Sequence, residues 1–427
     1  MDPVSSVHRH FLLFTAPLVG IIGAATGATA LVGYAFAAAA FLALGFFRSR
    51  RALLGMRVSR SVYPNAFEDD GVRVELRVEN HSRRRAQLVD IDDAFGPSLA
   101  DRQRLLEPGP LLPGRRRTLG YRSFCSRGWG EFRVGPLGLS TSDALGLFQA
   151  RRLFHQLDTF TVFPRVYDVT GLDRLGARSS LALQDATASR SGQSLAYLGV
   201  RDYRSGDDAR RIHWPASARR GALAVKELEI DLLPYFTLFL DLSRQGRAGT
   251  GKKSTLEYVV RTAASLLWTA AARGDVVQMI AEGEQPLFVP PGRGELHATL
   301  ALYEVVRARQ DGKRALLDLV EENRAALPSG STATLFHASL DFDLARLEET
   351  LEAFRSRGVR AVVFAIDEAS FVPIDRRAAT KQVAAERREA FLALLRERSV
   401  AGAVLSADME LGATLGRRDL VDAGLLS

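Results

Sequence analysis

Cysteine is almost absent from this sequence, since Cys125 is the only one among 427 residues. A single cysteine excludes an intramolecular disulfide framework and fits a reducing compartment. Two enzyme signatures are also missing: neither H-E-x-x-H, typical of zinc proteases, nor G-x-S-x-G, typical of serine hydrolases, occurs. We therefore assign no catalytic residue and no enzymatic activity, and we predict that Cys125 is packed in the interior rather than nucleophilic.

Charge is absent from a long stretch near the N-terminus. Residues 11–47 include no Asp, Glu, Lys or Arg, and this apolar run is about twice as long as one helix needs to cross a bilayer. A tight turn at Gly27–Thr29 would divide the run into two helices, at about 11–27 and 30–47. We therefore predict a transmembrane helical hairpin over residues 1–51.

Both flanks of this run are positively charged. Arg9 precedes it and Arg48 follows it, so the positive-inside rule places both ends in the cytoplasm. A cleaved signal peptide has an apolar region of only about 7–15 residues and would leave the second half of the run unexplained. A buried helix of a soluble protein is the other alternative. We expect residues 52–427 to lie in the cytoplasm, tethered to the inner or plasma membrane.

Period-two alternation dominates the next hundred residues. The stretch "VRVELRVEN", beginning at Val72, alternates apolar and polar residues and stops at Asn80, and glycines and prolines recur in the segments after it. Short strands with such turn signals, and without a helical stripe, are typical of an antiparallel β-sandwich. We predict a β-sandwich domain over residues 52–170, followed by a linker and signature segment over 171–232.

Strand and helix patterns alternate from Leu233 to the C-terminus. The continuous apolar strand "YFTLFLDLS" reaches Asp241, and "STLEYVVRTAASLLWTAAARG" has apolar residues at helical spacing between a capping Ser254 and a terminal Gly274. Apolar strands alternating with amphipathic helices predict a doubly wound, mostly parallel α/β sheet over residues 233–427. In such folds, ligands bind at the carboxyl ends of the strands.

The glycine-rich stretch after the first of these strands partly matches a phosphate-binding loop. Gly246, Gly251 and Lys252 have the spacing of G-x-x-x-x-G-K-[ST]. The next residue is a second lysine where a magnesium-ligating hydroxyl is needed, and the hydroxyl of Ser254 comes one position late. Two alternatives stay open, a nucleotide-binding enzyme that uses the degenerate loop Gly246–Ser254 and a solvated surface loop.

The same strand end also resembles the start of a metal-ion-dependent adhesion site, D-x-S-x-S. Asp241 and Ser243 fit this pattern, whereas Gln245 replaces its second serine. Mg²⁺ needs several converging oxygen ligands, and the sequence offers no obvious matching threonine or aspartate. Asp241 and Ser243 are therefore predicted to form either a degenerate Mg²⁺ site in a metal-dependent protein-binding module or a hydrogen-bonded turn.

A third candidate, "YRSGDDARRIHWPASARR", interleaves arginines with aspartates. The formal net charge of +8 admits an anionic partner, but this pattern differs from the unopposed basic stripe of a nucleic-acid site. We expect internal ion pairs and no nucleic acid. Asp207 is predicted to cap a helix, Pro215 to limit it, and Ile212 and Trp214 to pack in the interior. His213 is predicted to be hydrogen-bonded and partly buried.

The spacing in this region resembles the signature of a bacterial and archaeal family called domain of unknown function 58. The residues that carry the resemblance are Arg201, Tyr203, Gly206, Asp207, Arg210, Ile212, His213, Trp214, Ser217, Ala218 and Arg219. The stretch "RGWGEFRVGPLGLSTSDALGLF" is similar to a second segment of that family, with Ala144 where proline is usual.

The resemblance covers almost the whole chain and implies a membrane hairpin, a β domain and a von Willebrand factor A-like domain. Members are typically encoded beside MoxR-type AAA+ ATPases, and often beside transglutaminase-like membrane proteins, and have no established catalytic activity. The resemblance therefore implies a membrane-anchored adaptor that binds a MoxR-type ATPase through its A-like domain. The signature would be a structural joint or an interaction site.

Overall fold

The computed structural model describes residues 3–100, 102–107, 109–143, 146–170, 195–204, 207–230, 234–372 and 381–416. The chain divides into two compact units, Met1–Arg165 and Val166–Ser427, and each is described by itself. Part of the predicted linker, residues 171–194, lies outside the described residues. The mixed α/β, sheet-rich content predicted from the sequence is confirmed.

The first unit begins with two consecutive helices, α1 (Pro3–Thr26) and α2 (Thr29–Leu54). Gly27, whose φ is 69°, ends the first helix, and Gly20 lets α1 approach Ala35 of α2 closely. By length and composition, α2 is apolar enough to cross a membrane, and α1 contains a shorter apolar segment. The predicted apolar helix near the N-terminus is therefore confirmed.

The second helix continues seven residues past its predicted end at residue 47, because side chains stabilise its last turns. The Arg50 guanidinium lies 4.4 Å from the centre of the Phe46 ring, one turn earlier. Arg152 donates hydrogen bonds to the terminal carbonyls of Leu53 and Leu54, at 3.3 and 3.4 Å. These contacts join the end of α2 to the strands that follow.

Nine strands follow these helices among the described residues of the first unit. They are β1 (Met56–Ser61), β2 (Asn65–Phe67), β3 (Gly71–Asn80), β4 (Val89–Phe95), β5 (Arg102–Glu107), β6 (Arg116–Phe124), β7 (Gly130–Ser142), β8 (Gln149–Phe154) and β9 (Asp158–Phe163). One sheet has the order β1-β3-β6, and the other has the order β2-β9-β7-β4-β5, with β8 also paired to β7. All of these pairings are antiparallel except that of β2 with β9.

Both sheets contribute to one apolar core. Val74 and Leu76 of β3 are fully buried, and they belong to the same cluster as Ile91 and Phe160 of the other sheet. Alternate residues of β3 are exposed, as the period-two pattern predicts. Cys125 also lies in this cluster, where burial raises the pKa of its thiol to about 12. A thiol in that state is a packing group, as predicted.

The second unit contains ten strands and seven α-helices among its described residues. The strands are β10 (Leu195–Asp202), β11 (Ala224–Ile230), β12 (Tyr235–Leu240), β13 (Gly249–Thr250), β14 (Lys253–Ser254), β15 (Val276–Glu282), β16 (Pro286–Gly292), β17 (Thr332–His337), β18 (Arg360–Ile366) and β19 (Ala401–Leu405). The helices are α3 (Trp214–Arg220), α4 (Thr255–Ala272), α5 (Gly294–Val305), α6 (Leu316–Asn323), α7 (Leu344–Ser356), α8 (Lys381–Glu397) and α9 (Leu411–Leu415).

A six-stranded sheet organises this unit, in the order β16-β15-β12-β17-β18-β19. Five of its strands are parallel, and β16 is antiparallel at the edge. β16 was not predicted, because Pro286, Pro290 and Pro291 obscure its strand pattern. An edge strand tolerates such prolines, since one of its sides forms no ladder. The strand order reverses on either side of β12, which places the end of β12 at the switch point of the sheet.

Helices cover both faces of the sheet. The largely buried α4 contacts β12 and β15 on one face. On the other face, Phe239 and Leu335 share an apolar cluster with Val320 of α6, Leu347 of α7 and Phe391 of α8. Strands buried on both faces explain why their sequences are continuously apolar rather than alternating.

Candidate functional site

The signature segment, residues 201–220, begins at the end of the first strand of a separate antiparallel hairpin and continues through the connection to the second strand. β10 pairs with β11 so that Arg201 lies opposite Val225 and Asp202 opposite Ala224. A 3₁₀ turn at Ala209–Arg211 and the short helix α3 connect them. Gly206, one of the predicted signature residues, lies outside the described residues.

Ion pairs hold the first half of the signature segment. The Arg201 guanidinium donates to both carboxylate oxygens of Asp207, at 2.7 and 2.6 Å, and the Arg204 backbone N–H donates to the same carboxylate. These hydrogen bonds lower the pKa of Asp207 to about 2. The predicted internal Asp–Arg pairing is present. Asp207 does not cap a helix, however, because its carboxylate is committed to Arg201, and Asp208 caps the 3₁₀ turn instead.

Hydrogen bonds at His213 and Ser217 hold the second half. The ring Nδ1 of His213 accepts from the Ala216 backbone N–H at 3.1 Å and so caps α3. The Ser217 hydroxyl donates to the His213 carbonyl and accepts from the backbone N–H of Ala224, at 2.9 Å. Pro215 occupies the first turn of α3, so it helps to begin this helix and does not limit it as predicted.

Trp214 departs most from the sequence expectation. Its side chain is 66% exposed, whereas we expected it to be packed in the interior. The prediction was wrong because the joint is held by the hydrogen bonds of His213 and Ser217 and by Ile212, which is partly buried and bridges to Val225. Large apolar side chains are free to face solvent when other contacts hold the backbone.

The residues near Trp214 in sequence include several cationic side chains and one aromatic side chain. Tyr203, Arg210 and Arg219 are exposed, and Arg220 is exposed while lying 3.5 Å from Asp202. Residues 201–220 contain six arginines and three aspartates. The exposed surface of the signature segment therefore combines an indole ring with an excess of arginine.

A second candidate site, a cluster of residues, lies at the switch point of the sheet. This strand-end cluster consists of Asp241, Ser243, His337 and Ala338, and its first two members are the predicted metal ligands. The Asp241 carboxylate is 7% exposed and accepts from the backbone N–H groups of Ser243, at 2.9 Å, and Ala338, at 3.2 Å. Ser243 is buried and bridges to Gly312. Both carboxylate oxygens of Asp241 therefore serve as acceptors for backbone amides.

His337 is the buried histidine of the strand-end cluster. Burial lowers its pKa to about 4, and the nearby Asp241 carboxylate opposes this shift only in part. The imidazole stacks on Phe342, with the ring centres 4.1 Å apart, and its Nε2 has no hydrogen-bond partner within the described part of the chain. His337 is consequently neutral at pH 7. Sequence reasoning did not single it out, because a histidine at the end of an apolar strand gives no periodic signal.

No described residues complete a metal site at this position. Across the ranges that the structure describes, no group of three or more His, Cys, Asp or Glu side chains could hold a metal ion. Gln245, at the position of the second serine of the adhesion-site pattern, is exposed. The donor set that reaches Asp241 consists of backbone N–H groups, which suit a strand-end turn rather than a cation.

The glycine-rich loop folds as a small β-hairpin. β13 pairs with β14, and the Ser254 hydroxyl caps α4 by accepting from the Glu257 backbone N–H. The Thr255 hydroxyl donates to the Gly246 carbonyl at 2.8 Å. A side chain at Gly246 would clash with Ala338, since a Cβ there would lie 2.6 Å from the Ala338 Cβ. The close packing at Gly246 and the capping of α4 fix the conformation of this loop.

Comparisons with known proteins agree with the signature. Residues 199–367 match a family described as Protein of unknown function DUF58. The chain is 24% identical over 168 residues to the uncharacterized protein YeaD of Bacillus subtilis (strain 168). This match covers 39% of the chain and 40% of YeaD, which is less than half of either protein. The family resemblance predicted from the signature is thereby confirmed.

Similar solved structures match only parts of the chain. The C-terminal domain of wzt covers 26% of this chain and 75% of its own, at 10% identity and a TM-score of 0.20. A β-glucosidase from Listeria innocua covers 25% of this chain and 16% of its own, at 12% identity and a TM-score of 0.17. At these TM-scores, the similarity carries no argument about fold or function.

Proposed function

Starting from a chain whose residues 199–367 match the DUF58 family, we propose that this protein is a membrane-anchored cytoplasmic adaptor. It has no catalytic activity of its own, and it partners a MoxR-type AAA+ ATPase. The exposure of Trp214 within an arginine-rich segment is the observation that carries this proposal. Tryptophan and arginine are the residue types most enriched among energetically dominant contacts of protein interfaces.

Each part of the architecture has a role in this adaptor. α1 and α2 form a transmembrane hairpin with both ends in the cytoplasm, and the two sheets of the first unit form a β-sandwich. The parallel sheet of the second unit is a von Willebrand factor A-like domain. Its strand order, 3-2-1-4-5-6 when its strands are numbered along the chain, supports a doubly wound fold.

The surface of the signature segment indicates the chemistry of the partner. Four exposed arginines, Arg204, Arg210, Arg219 and Arg220, outnumber the exposed aspartates Asp202 and Asp208. This excess favours a partner surface rich in carboxylates, and the Trp214 ring favours an apolar pocket within that surface. The pairing of Arg201 with Asp207 fixes the backbone around these side chains, which lowers the entropy that binding must overcome. A partly preformed surface of this kind suits recruitment of a protein.

The hydrogen bonds of His213 and Asp241, within the part of the chain that the structure describes, support a non-catalytic role. His213 accepts a backbone hydrogen bond, and both oxygens of the Asp241 carboxylate do the same. Backbone amides therefore occupy Nδ1 of His213 and both carboxylate oxygens of Asp241. The candidate site therefore offers a binding surface rather than an acid, a base or a nucleophile.

A pull-down of the detergent-solubilised full chain against the MoxR-type ATPase of the same cell tests the proposal. Binding should depend on nucleotide and persist in excess EDTA. Trp214→Ala should weaken binding by about 30-fold, which is about 2 kcal/mol for a residue at the centre of an interface. Tyr63→Ala is the matched control, because Tyr63 is 80% exposed and belongs to the first unit.

Three results would contradict the proposal. Failure to bind the ATPase under any condition would remove the adaptor role. Binding that requires Mg²⁺ and is lost in Asp241→Asn would instead support the metal-dependent module. Saturable ATP binding by the isolated chain, lost when Lys252 is replaced, would support the nucleotide-dependent alternative.

A further inference from the structure

Arginines from three distant parts of the sequence lie near the place where α2 ends and the strands of the first unit begin. They are Arg48, Arg50 and Arg51 at the end of α2, Arg83, Arg84 and Arg85 after β3, and Arg115, Arg116 and Arg117 at the start of β6. We call this group the arginine collar. All nine residues are exposed. The sequence separates the three clusters by about thirty residues each, so their proximity is a property of the fold.

Backbone contacts attach the second cluster to the end of α2. The His81 backbone N–H donates to the carbonyl of Gly55 at 2.8 Å, one residue after the helix. Gly55 also packs directly on Ser82, because a Cβ at this glycine would lie 2.6 Å from that of Ser82. The turn that presents Arg83–Arg85 therefore begins at the exit of the helix.

Asn80 connects the second cluster to the third. Its side-chain amide donates to the carbonyl of Arg84 at 2.7 Å and to that of Leu111 at 2.9 Å. Its backbone N–H donates to the Arg115 carbonyl, and the Asn80 side chain is buried. One buried residue thus holds both arginine-bearing loops in place, and it satisfies its own polar atoms by doing so.

Few carboxylates oppose the arginine collar. Arg117 pairs with Glu107 at 2.7 Å, and Glu79, which Arg116 also influences, pairs with His81 at 2.9 Å. Among the described residues, none of the other eight arginines forms an ion pair. The signature segment differs in this respect, since there an aspartate binds its arginine in a bidentate pair.

Each arginine cluster is accompanied by an exposed leucine. Leu54 follows the first cluster, Leu88 follows the second and Leu112 precedes the third, and all three side chains are exposed. Exposed leucines beside unpaired arginines are typical of surfaces that lie at a lipid interface, where apolar side chains enter the acyl boundary and arginines meet phosphates. A nucleic-acid surface would more typically interleave aromatic residues for base stacking.

We propose that the arginine collar binds the anionic headgroups of the bilayer that α1 and α2 cross. The inference rests on the membrane anchoring in the proposed function and adds a lipid class to it. The arginines bind the phosphates of anionic lipids, and the leucines enter the interface beside them. Because Arg152 and the Gly55 contacts fix the end of α2, lipid binding sets the orientation of the first unit against the membrane.

A fluorescent probe at position 112 of the full chain tests this proposal. Leu112→Cys is labelled with a polarity-sensitive dye and reconstituted in nanodiscs of phosphatidylcholine, with or without phosphatidylglycerol. The fully buried Cys125 will not compete for the label. Leu99→Cys is the matched control, because Leu99 is 71% exposed. Leu99 follows Phe95, the last residue of β4, whereas Leu88 precedes the first residue of that strand, and the two ends of β4 are about 20 Å apart.

Phosphatidylglycerol should shift the emission of the probe at 112 to the blue, and salt should reverse the shift. The probe at 99 should not respond. Arg115→Gln combined with Arg116→Gln should lower the equilibrium constant for binding of the arginine collar to phosphatidylglycerol by about 30-fold. Each charge near an anionic surface raises that constant about fivefold. Arg73→Gln with Arg122→Gln removes two exposed charges from the opposite end of the β3–β6 pair, where the two residues face each other, and should have little effect.

An emission spectrum at 112 that is identical with and without phosphatidylglycerol would overturn the proposal. So would a shift produced by an RNA oligonucleotide in neutral nanodiscs but not by phosphatidylglycerol, which would assign the collar to nucleic acid. Alkaline carbonate extraction separates this result from the anchoring itself. A chain that is extracted, yet still shifts with phosphatidylglycerol vesicles, would refute the transmembrane hairpin alone.

Discussion

The signature segment and the strand-end cluster both centre on an aspartate that accepts backbone hydrogen bonds, but their surroundings are opposite. Asp207 pairs with Arg201 at the surface, whereas Asp241 is buried beside the neutral His337. The first aspartate fixes the backbone of a segment with exposed side chains, and the second forms a hydrogen-bonded turn at the carboxyl end of β12. The comparison teaches that two aspartates with similar backbone hydrogen bonds differ in exposure according to their place in the fold, one in a surface segment and one at the switch point of the sheet.

The largest effect is expected from removing the buried carboxylate. Asp241→Ala leaves the backbone N–H groups of Ser243 and Ala338 buried without an acceptor, which should lower the free energy of unfolding by about 4 kcal/mol. Urea unfolding of the full chain in detergent measures this loss. Asp241→Asn keeps one acceptor oxygen and should lose less. Unchanged stability in Asp241→Ala would mean that the cluster is not structural.

Protonation of His337 should produce the next largest effect. Its pKa is about 4 in the folded chain and about 6.5 when unfolded, so the unfolded state binds the proton more tightly. Stability from this residue is complete above about pH 6.5 and declines as the pH falls towards 4, by on the order of 3 kcal/mol in total. Unfolding midpoints measured between pH 7 and 4 should show this decline, and His337→Gln should flatten it. A parallel decline in the variant would assign it to other groups.

A smaller loss of unfolding free energy is expected when the hydrogen bond between Ser217 and Ala224, in the signature segment, is removed. Ser217→Ala removes the acceptor of the buried Ala224 N–H and should cost about 1–2 kcal/mol. Hydrogen exchange of that amide should accelerate, while amides of β12 should keep their protection. Ser217→Thr keeps the hydroxyl and serves as the control. Equal acceleration throughout the sheet would show that the hairpin and the sheet unfold together.

The smallest effect on stability is expected at Trp214, the exposed aromatic residue of the signature segment. Trp214→Ala should change the free energy of unfolding by less than about 0.5 kcal/mol, because the ring is largely exposed. The thermal midpoint of the variant, measured beside its affinity for the ATPase, checks this expectation. A loss of several kcal/mol would return Trp214 to the interior, where the sequence pattern first placed it, and would break the contrast between the two regions.

Much of the fold could be predicted from local sequence patterns. The predictions that failed have identifiable physical causes. The helix break at Gly27 and the apolar strand that leads into Asp241 follow from composition and periodicity. β16 was missed because its prolines are acceptable only at a sheet edge, and the sequence does not indicate which strand lies at an edge. Pro215 was interpreted as a limit to α3, because proline is common both in the first turn of a helix and just beyond its end.

The sequence by itself determined the alternation of elements, the uncharged N-terminal run and the spacing of the signature, because these depend on neighbours within a few residues. Tertiary structure decided which side chains are exposed and which clusters meet. Trp214 faces solvent because hydrogen bonds elsewhere hold its backbone, and the arginine collar forms because Asn80 joins two loops thirty residues apart. Burial and proximity depend on packing between distant segments, and no local pattern encodes them.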